Sequence, residues 1–210
     1  MSGMSFMIKK LLVILLLSSC GNLPIAYIQN FSSVNNVVFG FPDLDITEEI
    51  YNDYDYSFIK VRFARGPVSI LILAFVEENT YQWVGADNVS IFTENGRVIK
   101  TTGLDHNLDI SSKSKVTGQD IVIQEKINLT NPDLYSALLT SYMASRPETF
   151  LKFGKKVDAL KISENISIKL IGWKRSNYYF KNLETGLVEK SKQHIHPRLP
   201  ALNIEFYYKF

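Results

Sequence analysis

Beyond residue 55 the apolar positions recur mostly with a period of two. In Tyr56 to Phe63, Ser57, Ile59, Val61 and Phe63 alternate with Phe58, Lys60 and Arg62, the pattern of a strand with unequal faces. Gly66-Pro67 breaks the chain, and Val68 to Val76 (VSILILAFV) follows as a nearly continuous apolar run. Such a run predicts a strand covered on both faces. Tyr81 to Val84, Val89 to Thr93 and Val98 to Thr101 read as further strands, the last two joined through Asn95-Gly96, a pair that tolerates the positive φ angles of a type I′ hairpin turn. Lys113 to Gln119 is polar and reads as a loop, and Ile121 to Leu129 alternates again. Asn131-Pro132-Asp133 is both a turn signal and a helix start, and Leu134, Leu138, Leu139, Tyr142 and Met143 follow at helical spacing. The local pattern there predicts a helix. After Pro147, short strands are expected at Thr149 to Phe153, Val157 to Ile162, Ile166 to Trp173, Tyr178 to Lys181 and Leu187 to Lys190. Gly154, Glu164-Asn165, Ser176-Asn177 and Thr185-Gly186 separate them, and Ala201 to Phe210 forms a last long strand. About ten short strands in succession imply an all-β domain. Its expected architecture is a single strongly curved antiparallel meander sheet forming a half-open barrel.

The first 55 residues depart from this pattern. Lys9 and Lys10 precede the apolar run Leu11 to Leu17, which is too short for a spanning helix of roughly 20 residues and suits a secretory signal. Leu17-Ser18-Ser19-Cys20 resembles the bacterial lipobox. That resemblance implies a diacylglycerol on the Cys20 sulfur, cleavage before Cys20 and an N-acyl chain on the new amino terminus. Two or three acyl chains, at about 0.8 kcal/mol per buried methylene, make a stable anchor. Gly21 rather than Asp follows the cysteine, which by resemblance to enterobacterial sorting implies the outer membrane. Residues 21 to 55 are rich in Asn, Ser, Gly and Asp, with Pro42, and read as a tether with an irregular or partly helical end. The expected organisation is a signal peptide over 1–19, a lipidated tether and lead-in segment over 20–55, and a β domain over 56–210.

Composition sharpens this in two places. Twenty-three basic and 21 acidic side chains give +2, and removing Lys9 and Lys10 with the signal leaves the mature chain formally neutral. No nucleic-acid footprint is expected from such a balance. The single cysteine excludes an intramolecular disulfide framework and a cysteine-based zinc cluster.

Two stretches carry a family resemblance. Leu73-Ala74-Phe75-Val76-Glu77, Trp83, Asn95-Gly96-Arg97-Val98-Ile99-Lys100-Thr101, Gly103-Leu104 and Asn107-Leu108 form the first. Asn177-Tyr178-Tyr179-Phe180, Gly186-Leu187-Val188, Lys190-Ser191-Lys192-Gln193 and the Pro197 to Pro200 segment form the second. Together they resemble the outer-membrane lipoproteins of group four capsule and exopolysaccharide operons (the GfcB/YjbF type). Phe180 stands where that family's pattern has Trp, and Leu129 to Phe153 does not match it. The resemblance implies a mostly β lipoprotein beside an export machine for surface polysaccharide, and it moves residues 134–143 from helix toward strand.

The candidate contact residues are Trp83, Trp173, Tyr178 and Tyr179, whose rings could stack on sugars or simply fill a β core. Arg97 and Lys100 could meet an acidic polysaccharide or a partner, or be solvated turn charges. Asp105, His106 and Asn107 lack a second placed group for catalysis, and His194 and His196 lack a third ligand for a metal. Gly-x-Ser-x-Gly, P-loop and His-Glu-x-x-His signatures are absent, so no catalytic residue, metal or cofactor beyond the acyl chains is expected. The aromatics of Phe206 to Phe210 also resemble the terminal signal of outer-membrane barrels. The leading expectation is a non-enzymatic, periplasm-facing, outer-membrane lipoprotein that assists secretion or assembly of capsule or exopolysaccharide through protein contacts or glycan binding. Its partners would be outer-membrane lipid, an export barrel or other operon proteins, and polysaccharide. The alternative is an envelope lipoprotein that carries or chaperones an apolar ligand in a half-barrel cavity.

Overall fold

The computed structural model describes residues 41–117, 121–142 and 145–210. Cys20, the signal and most of the tether lie outside the described residues. One compact unit runs from Asp43 to Phe210, so the end of the lead-in segment packs with the β domain. It holds a short helix, α1 (Glu48–Asp53), capped by the Thr47 hydroxyl, which accepts from the Ile50 N–H. Thirteen strands follow: β1 (Phe58–Phe63), β2 (Val68–Glu77), β3 (Thr80–Val84), β4 (Ser90–Glu94), β5 (Arg97–Thr102), β6 (Leu108–Thr117), β7 (Ile121–Leu129), β8 (Leu134–Tyr142), β9 (Arg146–Lys152), β10 (Lys155–Ile168), β11 (Trp173–Asn182), β12 (Val188–Gln193) and β13 (Leu202–Tyr207).

Every pairing is antiparallel, and successive strands are neighbours from β1 to β8 and from β9 to β13. β13 returns to β1, and β8 pairs with Glu164–Ser167 of β10, so the meander closes into a barrel. β9 lies on the same edge of β10 farther toward its start, at Lys155–Lys161, and leaves its own outer edge unpaired. The β9–β10 hairpin folds over the outside wall. Phe153 at its tip lies 5.9 Å from the Tyr207 ring, and Lys152 pairs with Glu189.

One seam barely closes. β5 and β6 share a single ladder pair, Lys100↔Asp109, so the barrel is half-open there. The start of β5 reaches across the interior to β12 instead. Buried Gln193 accepts from the Val98 N–H at 2.8 Å and donates its amide to the Gly96 carbonyl at 2.8 Å. One side chain thereby takes the place of an absent neighbouring strand. Gly96 has φ +77°, and a Cβ on it would come within 2.5 Å of the Val188 Cβ. Only glycine fits this close approach.

Apolar side chains fill the interior as one cluster that includes Trp83, Ile91, Leu108, Ile127, Leu138, Ile168, Trp173 and Phe206. The void among them, also lined by Arg97, Asn177, Gln193 and His194, is about 20 Å³, room for about one water. A spanning barrel has the opposite polarity, apolar outside and polar inside. Outside, Ile46 of the lead-in segment covers Phe58 and Tyr207 in a second, small cluster. One end of the barrel is tied shut by its loops. The Ala64 N–H donates to the Ala201 carbonyl, the Thr130 N–H donates to the Asn107 carbonyl, and the His106 and His196 rings stack at 4.9 Å.

The all-β curved meander is as the alternation predicts, but several local readings change. Residues 134–142 are strand β8, not helix, because Asn131 takes a left-handed φ of 54° and makes a turn. Ile127↔Ser136 and Gln124↔Leu139 then register this segment against β7. The polar Ser-Lys stretch read as a loop from Lys113 continues β6 as far as Thr117. The apolar run of β2 is covered on both faces only around Ile70 and Leu71; Phe75 and Val76 are exposed.

Candidate functional site

The end of the barrel opposite the tied loops opens into a cavity of about 290 Å³. The β4–β5 turn, β7, the ends of β8 and β11 and the β11–β12 turn surround it. Its geometry follows from the split seam, since the β5 hairpin that leans inward leaves space between itself and β7, β8, β10 and β11. Tyr81, Tyr142, Tyr179 and Tyr208 supply aromatic wall.

Arg97 lies at the base of this mouth between two carboxylates. Its Nη1 and Nη2 donate to the two oxygens of Glu125 at 2.7 and 2.6 Å, and its Nε lies 2.8 Å from Glu164 Oε1. Glu125 and Glu164 are buried. Thr140 Oγ1 donates to Glu125 at 3.1 Å, while Asn177 Nδ2 and the Tyr179 hydroxyl donate to Glu164 Oε2 at 2.9 and 2.6 Å. Such a cluster is tolerable in a low-dielectric interior because its charges are paired and most of its polar atoms are hydrogen bonded; Glu164 Oε1 has the ion-pair contact with Arg97 but no hydrogen bond. Desolvation works to lower the Arg97 pKa, but the Glu125 hydrogen bond and the Glu164 and Glu125 charges outweigh it and hold it above the ordinary arginine range. Desolvation, then the Glu164 charge, raises Tyr179 well above an ordinary tyrosine and Tyr142 to about 12. Both phenols are therefore neutral at pH 7.

The candidate residues separate into three groups. Trp83 is fully buried, donates its indole N–H to Thr93 and packs against Phe206, and Trp173 lies in the same core. Burial takes both indoles out of reach of a sugar. Tyr178 lies on the outer wall near Lys161, whose Nζ is 5.2 Å from the ring centre, and Lys100 pairs with Asp109 at 2.9 Å on the surface. Arg97 and Tyr179 alone meet at the mouth. Arg97 is no solvated turn charge, and its three nitrogens are already engaged by carboxylates. Glu125, Tyr142, Glu164, Asn177 and Gln193 are the site residues that the sequence reading misses. Their signal is a polar residue at an inward position of an otherwise alternating strand. His196 belongs to the tied end, and among the described residues no group of three or more His, Cys, Asp or Glu is placed to hold a metal.

The sequence profile of the group 4 capsule polysaccharide lipoproteins, the GfcB and YjbF family, matches residues 31–207. The chain belongs to this family. Among curated relatives, the uncharacterized lipoprotein GfcB of Escherichia coli K12 is 24% identical over 169 residues, covering 74% of this chain and 78% of that protein. The uncharacterized lipoprotein YjbF of the same organism is 27% identical over 82 residues, 39% of each chain. A solved structure of the hypothetical lipoprotein YmcC, also from Escherichia coli K12, superposes with a TM-score of 0.64 at 18% identity, covering 90% of this chain and 98% of that one. That likeness establishes the shared fold. Membership places this barrel among capsule-associated lipoproteins.

Proposed function

We propose that this capsule-family lipoprotein is anchored through Cys20 in the periplasmic leaflet of the outer membrane. There it assists secretion or assembly of capsule or exopolysaccharide by holding a glycan segment in the open mouth of its barrel. The carrying observation is the mouth itself, a tyrosine-walled cavity of about 290 Å³ over a buried polar cluster, at one end of a barrel that is otherwise filled. Sugar sites combine aromatic faces with a few fixed polar groups in this way. A carrier of acyl chains needs a large apolar interior, and the deep void of about 20 Å³ favours the glycan reading over the apolar-ligand one. The reading is non-catalytic, because Arg97 engages both buried carboxylates and neither is poised as a free acid or base.

Complementation tests it. In a strain that makes surface polysaccharide, deletion of the gene lowers cell-surface polysaccharide, the wild-type gene restores it, and Cys20→Ala does not. Palmitate label enters the wild type and is absent from Cys20→Ala. Unchanged surface polysaccharide after deletion would sink the export role. Persistent palmitate labelling of Cys20→Ala would sink the anchor.

A further inference from the structure

We propose that the tied end of the barrel docks, through the segment Lys169 to Arg175, on the anionic phospholipid surface that holds the Cys20 anchor, so that the mouth points away from the membrane. The proposal rests on the anchor reading above and adds the orientation of the domain. The segment reads Lys-Leu-Ile-Gly-Trp-Lys-Arg. It joins β10 to β11, and the antiparallel pairing of Ser167 with Leu139 puts it beside the start of β8, at the end where the loops are tied. Lys169–Ile171 forms a 3-10 turn, closed by the Gly172 N–H, which donates to the Lys169 carbonyl at 3.2 Å. Leu170 and Ile171 on this turn keep 70% and 47% of their surface exposed, and Tyr135 on neighbouring β8 keeps 68%. Trp173, two residues on, is turned into the core. An exposed apolar crest with basic residues on both sides has the composition of a segment that lies in a lipid interface.

Charge complementarity names the occupant. Lys169, Lys174 and Arg175 are exposed around the crest, and among the described residues none of the three forms an ion pair. Arg175 Nη1 donates to the Lys174 carbonyl. The segment itself holds no carboxylate; Asp87, Asp105 and Asp133 of this end lie in the β3–β4, β5–β6 and β7–β8 loops. Each Lys or Arg held near an anionic membrane surface strengthens binding about fivefold. The lysine stems also let the apolar crest sink while their ammonium groups stay at headgroup level.

The start of the domain selects the same end. The compact unit begins at Asp43, whose carboxylate lies 3.5 Å from Lys60 and 3.7 Å from Arg62. Arg62 in turn donates to the carbonyls of Arg65 and Gly66 in the β1–β2 loop, one of the tied loops. Residues 21–42, between Cys20 and that point, carry no charged side chain. A flexible stretch of this length has a typical span of about 25 Å. Counted from the anchor, the domain therefore starts near its tied end, within easy reach of the bilayer.

The test uses the full-length lipoprotein reconstituted in phosphatidylcholine vesicles with or without about one third phosphatidylglycerol. With Cys20 acylated, the thiol of Leu170→Cys, or of Leu183→Cys in the β11–β12 turn at the mouth, takes a single environment-sensitive fluorophore. Leu183 is 60% exposed, so the two positions start alike. Lipids with a nitroxide on the acyl chain quench a label that enters the bilayer. In anionic vesicles the label at Leu170→Cys is quenched about threefold or more beyond that at Leu183→Cys. The contrast weakens without phosphatidylglycerol and in about 1 M salt. Lys169→Gln, Lys174→Gln and Arg175→Gln together lower the ratio of docked to undocked protein about a hundredfold and abolish it. Equal quenching at the two positions, stronger quenching at Leu183→Cys, or a contrast that the triple variant leaves unchanged overturns the proposal. So does a Leu170→Cys label shielded before lipid is added and insensitive to the quencher, because the chain itself or a second copy then covers the turn. Quenching at neither position in protein that floats with the vesicles overturns the docking and leaves the anchor standing. A wild-type Cys20 that takes the fluorophore, in protein that does not float, overturns the anchor reading together with this inference.

Discussion

Replacing Gln193 with Leu keeps the side-chain volume close to constant and removes the amide that stands in for a missing strand. In the wild type this amide satisfies the Val98 N–H and the Gly96 carbonyl, each at 2.8 Å, and also donates to Ser191 Oγ at 2.8 Å. The Ser191 hydroxyl can turn to another partner, but the two backbone groups lie in a hairpin end that no strand accompanies on that side. Leaving a buried polar group unpaired costs about 1–3 kcal/mol, so the two together predict a loss of about 2–5 kcal/mol. That is a large share of the 5–15 kcal/mol typical of a domain. Urea unfolding at pH 7 measures the loss, and amide hydrogen exchange locates it. The Val98 amide exchanges about a hundredfold faster or more in Gln193→Leu, while Ile127 and Ile204 in well-paired strands change only by the global amount. A loss below about 0.5 kcal/mol with unaltered Val98 exchange would refute the reasoning, since the hairpin would then be held by its packing alone.

Further outcomes follow from the same geometry. Arg97→Met strands two buried carboxylates and lowers stability by about 3–5 kcal/mol, which chemical denaturation at pH 7 reads. Gly96→Ala meets Val188 and a φ of +77°, and thermal unfolding should report a loss of at least about 1 kcal/mol. Burial, then the neighbouring His106, lowers the His196 pKa, as burial and Arg175 lower that of His194. Folded-state pKa values below the unfolded 6.5 mean that the folded form binds fewer protons, so their contribution is complete above pH 6.5 and is lost as pH falls below it; His196→Gln flattens the decline in unfolding free energy over that window. Lys100→Ala breaks only the surface pair with Asp109 and shifts stability by less than about 0.5 kcal/mol in the same unfolding assay.

The fold was legible where one strand face meets the core and the other meets water. The alternation through β1, β4, β7 and β13 is that contrast written in residues. It was illegible where the inward face is polar. Glu164-Asn165 and Ser176-Asn177 look like turns in a pattern of apolar alternation, yet they lie inside β10 and β11, paired with each other as Glu164↔Asn177 and Asn165↔Ser176. Glu164 and Asn177 are the inward half of those interruptions and belong to the buried cluster, where Asn177 donates to Glu164; Asn165 and Ser176 face the other side of the sheet, where Ser176 Oγ donates to Asn165 at 2.7 Å. The carboxylate that Arg97 meets beneath the mouth is therefore among the residues that hid its strands. The helical spacing of Leu134 to Tyr142 failed for a different reason, because long-range pairing to β7 and β10 supplies what local spacing cannot report. Arg97 was picked out correctly as a residue of interest, but its partners come from β7 and β10, far along the chain, and no local pattern joins them.

The unpaired outer edge of β9 bears on how this molecule tolerates crowding. An open sheet edge is a template on which a second chain can add a strand and start a fibril. Here the ring of strands consumes its own edges, and at the split seam Gln193 occupies the hydrogen-bonding groups at the start of β5. Among the described residues, the strand backbone left without a neighbouring strand is that of β9, seven residues reading Arg-Pro-Glu-Thr-Phe-Leu-Lys, and of the far part of β6. Pro147 has no N–H to offer an intruding strand, and the charges of Arg146, Glu148 and Lys152 resist being dried by one. A barrel incompletely closed by its backbone thus carries, in its least apolar strands, the chemistry that keeps neighbouring copies from completing it.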